Sequence, residues 1–141
     1  MRMHTAAHLL GAILYEEGKI LCTGNQLEEE TSKMDFDLTE INEEKIKSYF
    51  TKANELITKG AAVKVYSLPR EEAFKIPGIV KLAGALPSEV SILRIVEIEN
   101  IDIEADGGTH VHDIKEIKGL ELKSIENKGK NRKRIYFSLK D

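Results

Sequence analysis

Four side chains fall into two pairs whose spacing suits a metal ion. His4 and His8 are four residues apart in a segment that reads as a helix from about residue 3. On a helix, side chains at i and i+4 lie one above the other, with Cβ atoms about 5–6 Å apart. Two imidazoles so placed can hold one zinc ion through bonds of about 2.0–2.1 Å. Thr5, Ala6 and Ala7 lie between them, and no glutamate follows His4, so this is not the zinc-peptidase pattern H-E-x-x-H. Asp106 and His110 repeat the four-residue spacing around Gly107-Gly108-Thr109. Adjacent glycines allow a tight turn and a close approach to a ligand, and zinc accepts carboxylate oxygen as well as imidazole nitrogen. A blander account has Asp106 and Thr109 ordering a Gly-Gly turn, with His110 a satisfied core histidine. A single H-x-x-x-H arises by chance on many helices, but two such pairs in one short chain favour the metal.

The rest of the chain must bring these pairs together. Its 141 residues are 41% hydrophobic and 32% charged, enough for a packed core with a solvated surface and too apolar for general disorder. The sequence contains no run of 18 apolar residues and no signal peptide, so the expectation is a soluble, cytoplasmic protein with no membrane partner. The lone cysteine, Cys22, excludes an internal disulfide and an all-cysteine zinc site, and its place beside Leu21 reads as buried packing. Net charge is −3, yet Lys128 to Arg134 carries five basic residues in seven positions. Such a run is either a solvated hairpin tip or a patch for a phosphate backbone.

The pattern predicts α+β architecture, with a mostly antiparallel sheet packed with helices. Met3, Ala7, Leu10 and Leu14 form one helical stripe, which Gly18 ends. Ile20 to Thr23 reads as a strand, with a turn at Gly24-Asn25. Met34, Phe36 and Leu38 alternate with charged residues as a half-buried strand. Asn42 caps a second helix with Glu43 and Glu44 in its first turn; its apolar face is Ile46, Tyr49, Phe50, Ala53, Leu56 and Ile57, and Gly60 stops it. Val63 and Val65 mark a strand closed by Pro69, residues 70–75 a short helix, and Pro77 to Pro87 a loop. Ile92 to Ile98 reads as a central strand covered on both faces, continued by Ile101 and Ile103. Strands at about 117–126 and 132–139 form a hairpin around Gly129. Neither an internal repeat nor an interdomain linker is evident, so residues 1–141 read as a single domain.

His4-Thr5-Ala6-Ala7-His8-Leu9-Leu10, followed by Gly107-Gly108-Thr109-His110-Val111, resembles the AlaX proteins and the editing domain of alanyl-tRNA synthetase. Gly24-Asn25-Gln26 before Met34-Asp35-Phe36-Asp37, Leu68-Pro69-Arg70-Glu71-Glu72-Ala73, and Asn127-Lys128-Gly129-Lys130 before Arg132 to Phe137 extend the likeness over nearly the whole chain. The Gly-Gly-Thr-His segment separates it from the related domain of threonyl-tRNA synthetase.

The resemblance implies the threonyl/alanyl-tRNA synthetase editing-domain fold and one zinc ion per chain, held by His4, His8, His110 and, in one of two arrangements, Asp106. It implies a zinc-dependent trans-editing hydrolase, independent of ATP, that cleaves the ester of mischarged alanine tRNA. Seryl-tRNA is its expected substrate, with glycyl-tRNA beside it. Small substrates of this kind escape discrimination by one pocket and need a second, hydrolytic site. Longer AlaX proteins carry an N-terminal domain before this region, so residues 1–141 correspond to the editing part alone. Where the family usually has cysteine, this chain has Asp106. Two arrangements are therefore open: aspartate as fourth ligand, or three histidines and water. Zinc can polarise the ester, lower the pKa of a water, or hold the substrate's amino group. Thr5, Gln26 and Thr31, with Thr23 and Ser32, are candidates to line the substrate pocket. Lys128, Lys130, Arg132, Lys133 and Arg134 are candidates to hold tRNA phosphates. His112, on an expected strand, reads as a surface or supporting histidine. The competing readings are a tRNA-binding module with a structural zinc and a metal-dependent hydrolase of small esters.

Overall fold

The computed structural model describes residues 1–76 and 91–140; the loop expected at Pro77 to Pro87 lies outside them. In chain order come α1 (Arg2–Gly18), β1 (Cys22–Gln26), β2 (Ser32–Phe36), α2 (Glu43–Lys59), β3 (Val63–Pro69), α3 (Arg70–Ala73), β4 (Ile92–Ile98), β5 (Asp102–Ala105), a 3-10 turn (Ile114–Ile117), β6 (Leu120–Gly129) and β7 (Arg132–Leu139). The fold is α+β, and every described strand pair is antiparallel. There are two sheets where one was expected. One is ordered β1-β2-β7-β6 and the other β3-β4-β5.

The first helix is more deeply set than a single stripe suggests. Thr5 to Leu10 are buried without a break, followed by Ala12, Ile13 and Leu14. A helix that is apolar nearly all round belongs inside a domain, and α1 packs against α2, β5 and the 3-10 turn. Its left-handed C-cap is Lys19 (φ 54°), one residue beyond the expected Gly18. Helix α2 follows the sequence expectation. The Asn42 side chain accepts from the Lys45 N–H at 3.1 Å, and Gly60 at φ 85° ends the helix. Asn54 ties α2 to the start of β6 through both the N–H and the carbonyl of Leu120, at 2.7 and 3.0 Å. The main core joins Leu9, Leu10 and Leu14 with Phe36, Phe50, Ile114, Ile117, Ile135 and Phe137. A smaller core of Ala73, Leu93 and Ile95 lies on the second sheet.

Three expectations need correction. Gly24 and Asn25 are within β1, paired with Asp35 and Met34, because an irregularity at Thr23 keeps the strand in register. The hairpin loop comes later, where the Ser32 hydroxyl accepts from the Glu28 N–H and donates to the Glu28 carbonyl. Ile101 and Ile103 do not continue β4. The chain reverses at Asn100 (φ 64°), and β5 returns along β4. The last hairpin begins at Leu120 rather than near 117. Asp113 accepts from the Lys115 N–H and its own N–H donates to Glu116, so the intervening residues wind into the 3-10 turn and bury Ile114 and Ile117.

Candidate metal centre

The two pairs converge. Helix α1 supplies His4 and His8 on one face, and the loop after β5 supplies Asp106 and His110. Asp106 Oδ2 lies 2.9 Å from His110 Nε2, 3.3 Å from His4 Nε2 and 3.6 Å from His8 Nε2. One ligand atom from each of the four residues lies within 4.8 Å of every other. Tetrahedral zinc with bonds of about 2.0–2.1 Å sets its ligand atoms about 3.3 Å apart, and the Asp106 distances bracket that value. The donor set of three imidazoles and a carboxylate therefore fits a zinc-sized cation, with Asp106 at one corner rather than turned away. His110 is 1% exposed at its side chain, whereas His4 at 27% and Asp106 at 21% open the cluster to solvent.

The loop that carries Asp106 and His110 is held from outside. Arg94 on β4 donates to the carbonyls of Asp106 and Gly108 at 3.0 and 2.6 Å. The Gly108 N–H donates to Asp106 Oδ2 at 3.0 Å. Neither Gly107 nor Gly108 takes a left-handed conformation. The need at Gly108 is for space: a Cβ there would lie 1.9 Å from His4 Cε1, while one at Gly107 would meet nothing.

Electrostatics favour a charged Asp106 carboxylate beside a neutral His110 imidazole. Burial opposes ionisation of Asp106, but hydrogen bonds from His110, His4 and His8 outweigh it and hold its carboxyl far below the usual range. Burial also lowers the His110 pKa, against the opposing pull of Asp106 and together with the charges of His8 and His4. Neutral imidazole and ionised carboxylate are the forms that bind metal. On its far side, His8 Nδ1 faces Asp102 Oδ2 at 3.8 Å and Glu104 Oε1 at 3.6 Å. A carboxylate behind a ligating histidine orients the ring and raises its basicity. The sequence reading did not single out these two acids; their alternation on β5, one strand before Asp106, was the signal.

The other expected site residues sit differently. Thr5 is fully buried and its hydroxyl meets His110 Nδ1 at 3.0 Å, so it stands behind the cluster and not in an open pocket. The Gln26 amide donates to Glu28, and Thr23 and Thr31 are exposed on the β1–β2 hairpin. Ser32 is buried and committed to the hairpin loop. His112 is exposed and lies on no strand; its N–H donates to Glu116 and its carbonyl accepts from Val63. Cys22 is buried as expected, and burial pushes its thiol up to about 11, so it stays protonated.

Much of the basic hairpin is already engaged. Arg132 and Arg134 both bond the Asp35 carboxylate, at 2.6–2.7 Å. Lys133 is buried and donates to the carbonyls of Gly129 and Lys130 and to the Asn127 side chain at the turn. Lys128 pairs with Glu126 at 2.7 Å. Lys130 is exposed at the tip, and among the described residues its ammonium has neither an ion pair nor a hydrogen bond.

Comparison with known proteins places this site in context. Residues 93–136 match the family model described as the threonyl and alanyl tRNA synthetase second additional domain. The chain is 48% identical over 140 residues to the alanyl-tRNA editing protein AlaX-M of Saccharolobus solfataricus, covering 99% of this chain and 58% of the relative. It is 42% identical to the AlaX-M protein of Methanosarcina acetivorans, over all of this chain and 58% of that one. It is also 34% identical to the alanine–tRNA ligase of Methanococcus vannielii, over 98% of this chain and 16% of the ligase. The chain thus spans rather more than half the length of the AlaX-M relatives. No described helix is long and apolar enough to cross a membrane.

Proposed function

We propose that this chain, which belongs to the AlaX family of alanyl-tRNA editing proteins, is the zinc-dependent deacylase part of such a protein. Its substrate in this reading is mischarged alanine tRNA in the cytoplasm, carrying serine or glycine on its terminal adenosine. Residues 1–141 act as one editing domain. The observation that carries the reading is the convergence of His4, His8, His110 and Asp106, with ligand atoms within 4.8 Å of one another, in a chain alike from end to end to editing proteins.

His4, His8 and His110 are the firm donors and hold one zinc ion. Bound zinc supplies a concentrated positive charge that polarises an ester or positions the amino group of its aminoacyl part. Asp106 is the weaker donor, because a carboxylate is a hard ligand and its Oδ2 also accepts the Gly108 N–H. Asp106 would be the donor on the exposed side of the site, where it and His4 meet solvent and substrate would approach. Structural zinc sites are closed and catalytic ones keep a position free, so this partial exposure supports hydrolysis over a purely structural metal. Gln26 and Thr31 lie on an exposed hairpin and meet substrate only if tRNA packs against it. Thr5 contributes from behind the metal. Lys130 is the hairpin residue best placed to meet a tRNA phosphate, with Lys128, Arg132, Lys133 and Arg134 shaping the hairpin.

The test is deacylation of seryl-, glycyl- and alanyl-tRNA for alanine, measured side by side with and without chelator. Serine ester hydrolysis should be lost on chelation and in His8→Ala, and the alanine ester should be largely spared. Equal attack on alanyl-tRNA, or full activity in His8→Ala, refutes the assignment.

A further inference from the structure

We propose that Thr5 is a positioning residue for the metal: its hydroxyl holds His110 in the tautomer whose Nε2 is free to ligate. This rests on the metal reading above. The Thr5 oxygen has three partners, namely the Met1 carbonyl at 3.1 Å, the Val111 N–H at 3.1 Å and His110 Nδ1 at 3.0 Å. A carbonyl can only accept and a backbone N–H can only donate. A hydroxyl has one hydrogen and two lone pairs. With its hydrogen given to Met1 and one lone pair to Val111, the hydroxyl keeps a lone pair for His110, and an imidazole that ligates through Nε2 carries its proton on Nδ1, where this lone pair accepts it. The other nitrogen, Nε2, points at the cluster, 2.9 Å from Asp106 Oδ2. Without metal a hydrogen bond spans that gap; a cation bound between the two atoms would take its place, with Nε2 as ligand and the ring proton kept on Nδ1 toward Thr5.

Thr5 is fully buried and anchored at both ends, on the helix that also carries His4 and His8. The same turn of α1 thereby supplies two ligands directly and fixes the tautomer of a third, which the chain delivers more than 100 residues later. This is the role commonly given to a carboxylate or backbone carbonyl behind a ligating histidine, here filled by a hydroxyl.

Zinc affinity by chelator competition tests this on wild type, Thr5→Val and Thr5→Ser, with ¹⁵N imidazole NMR of the zinc-bound forms. Valine keeps the shape and removes the acceptor; serine keeps the acceptor. The expected result is zinc binding weakened about 10- to 100-fold in Thr5→Val and restored to within a few-fold in Thr5→Ser. A slowly exchanging His110 Nδ1–H should appear in wild type and Thr5→Ser and be lost in Thr5→Val. Thr5→Val binding zinc as tightly as wild type overturns the proposal and leaves the metal reading intact; wild type that binds no zinc overturns both. Should Thr5→Val fail to fold, the wild-type spectrum decides: an observed Nδ1–H bonded to Thr5 supports the proposal, and zinc bound through Nδ1 overturns it.

Discussion

Replacing Gly108 with alanine should expel His4 from the metal centre while leaving the fold in place. The added Cβ would stand 1.9 Å from His4 Cε1 and 2.2 Å from Nδ1, where ordinary contact begins at 3.4 Å. Something must therefore move by 3.4 − 1.9, or about 1.5 Å. The loop is poorly able to yield, since Arg94 holds the carbonyls on both sides of Gly107. The His4 ring can yield, because part of it faces solvent. A shift of that size is most of a zinc–nitrogen bond of about 2.0–2.1 Å, so His4 ceases to ligate. Loss of a direct ligand should exceed the 10- to 100-fold effect typical of a supporting partner. We expect zinc affinity to fall at least ~100-fold, about 2.7 kcal/mol. Gly107→Ala is the matched control, because its Cβ meets nothing within 4 Å. Competition with a chromophoric chelator reads the affinities, and thermal melting of the metal-free proteins should place both variants near wild type. If Gly108→Ala binds zinc as Gly107→Ala does, the steric argument for this glycine is wrong.

Asp106→Ala should weaken zinc binding less than His4→Ala, His8→Ala or His110→Ala, and Asp106→Cys should tighten it, because thiolate is the softer and stronger donor; the same chelator competition ranks them, and an alanine variant as defective as His8→Ala would make Asp106 a full ligand. Asp35→Asn should cost about 1–3 kcal/mol, since it leaves Arg134 with a weaker partner. The Arg134 hydrogen bond, opposed by burial and aided by Arg132, lowers the Asp35 pKa below its ordinary 3.8. The ion pair's stabilisation is therefore fully present above pH ~4 and is lost as pH falls through the lower folded-state value. Denaturant midpoints measured from pH 6 to pH 2 should fall less steeply in the asparagine variant, and parallel curves would contradict the pairing. Lys130→Glu should weaken tRNA binding and reduce its salt dependence by about one phosphate contact, without changing the melting temperature. Arg132→Glu should instead destabilise the protein by setting a second acid against Asp35, and equal melting of the two would argue against the arginine–aspartate cluster.

The sequence alone carried whatever depends on short spacings. His4 with His8, and Asp106 with His110, were legible as two-residue jaws because a helix turn or a Gly-Gly loop sets the geometry within four residues. Asn42 and Gly60 bounded α2 for the same reason, and the strand alternation of the last hairpin announced β6 and β7. That the two jaws meet follows from closure of the fold, which sets α1 against β5. Partners about a hundred residues apart were beyond the sequence. Lys128 to Arg134 looked like a free basic patch, but antiparallel pairing of β2 with β7 puts Asp35 opposite Arg134 and consumes two of its charges. Thr5 looked like a pocket residue, but burial of α1 on nearly every side turns it toward His110. Gly108 looked like a turn glycine, and only the packed structure shows that it makes room for His4. Local geometry repeats wherever the same few residues occur, so it can be read from the chain; the environment of a side chain is set by which distant segments pack against it, and that is decided only when the core closes.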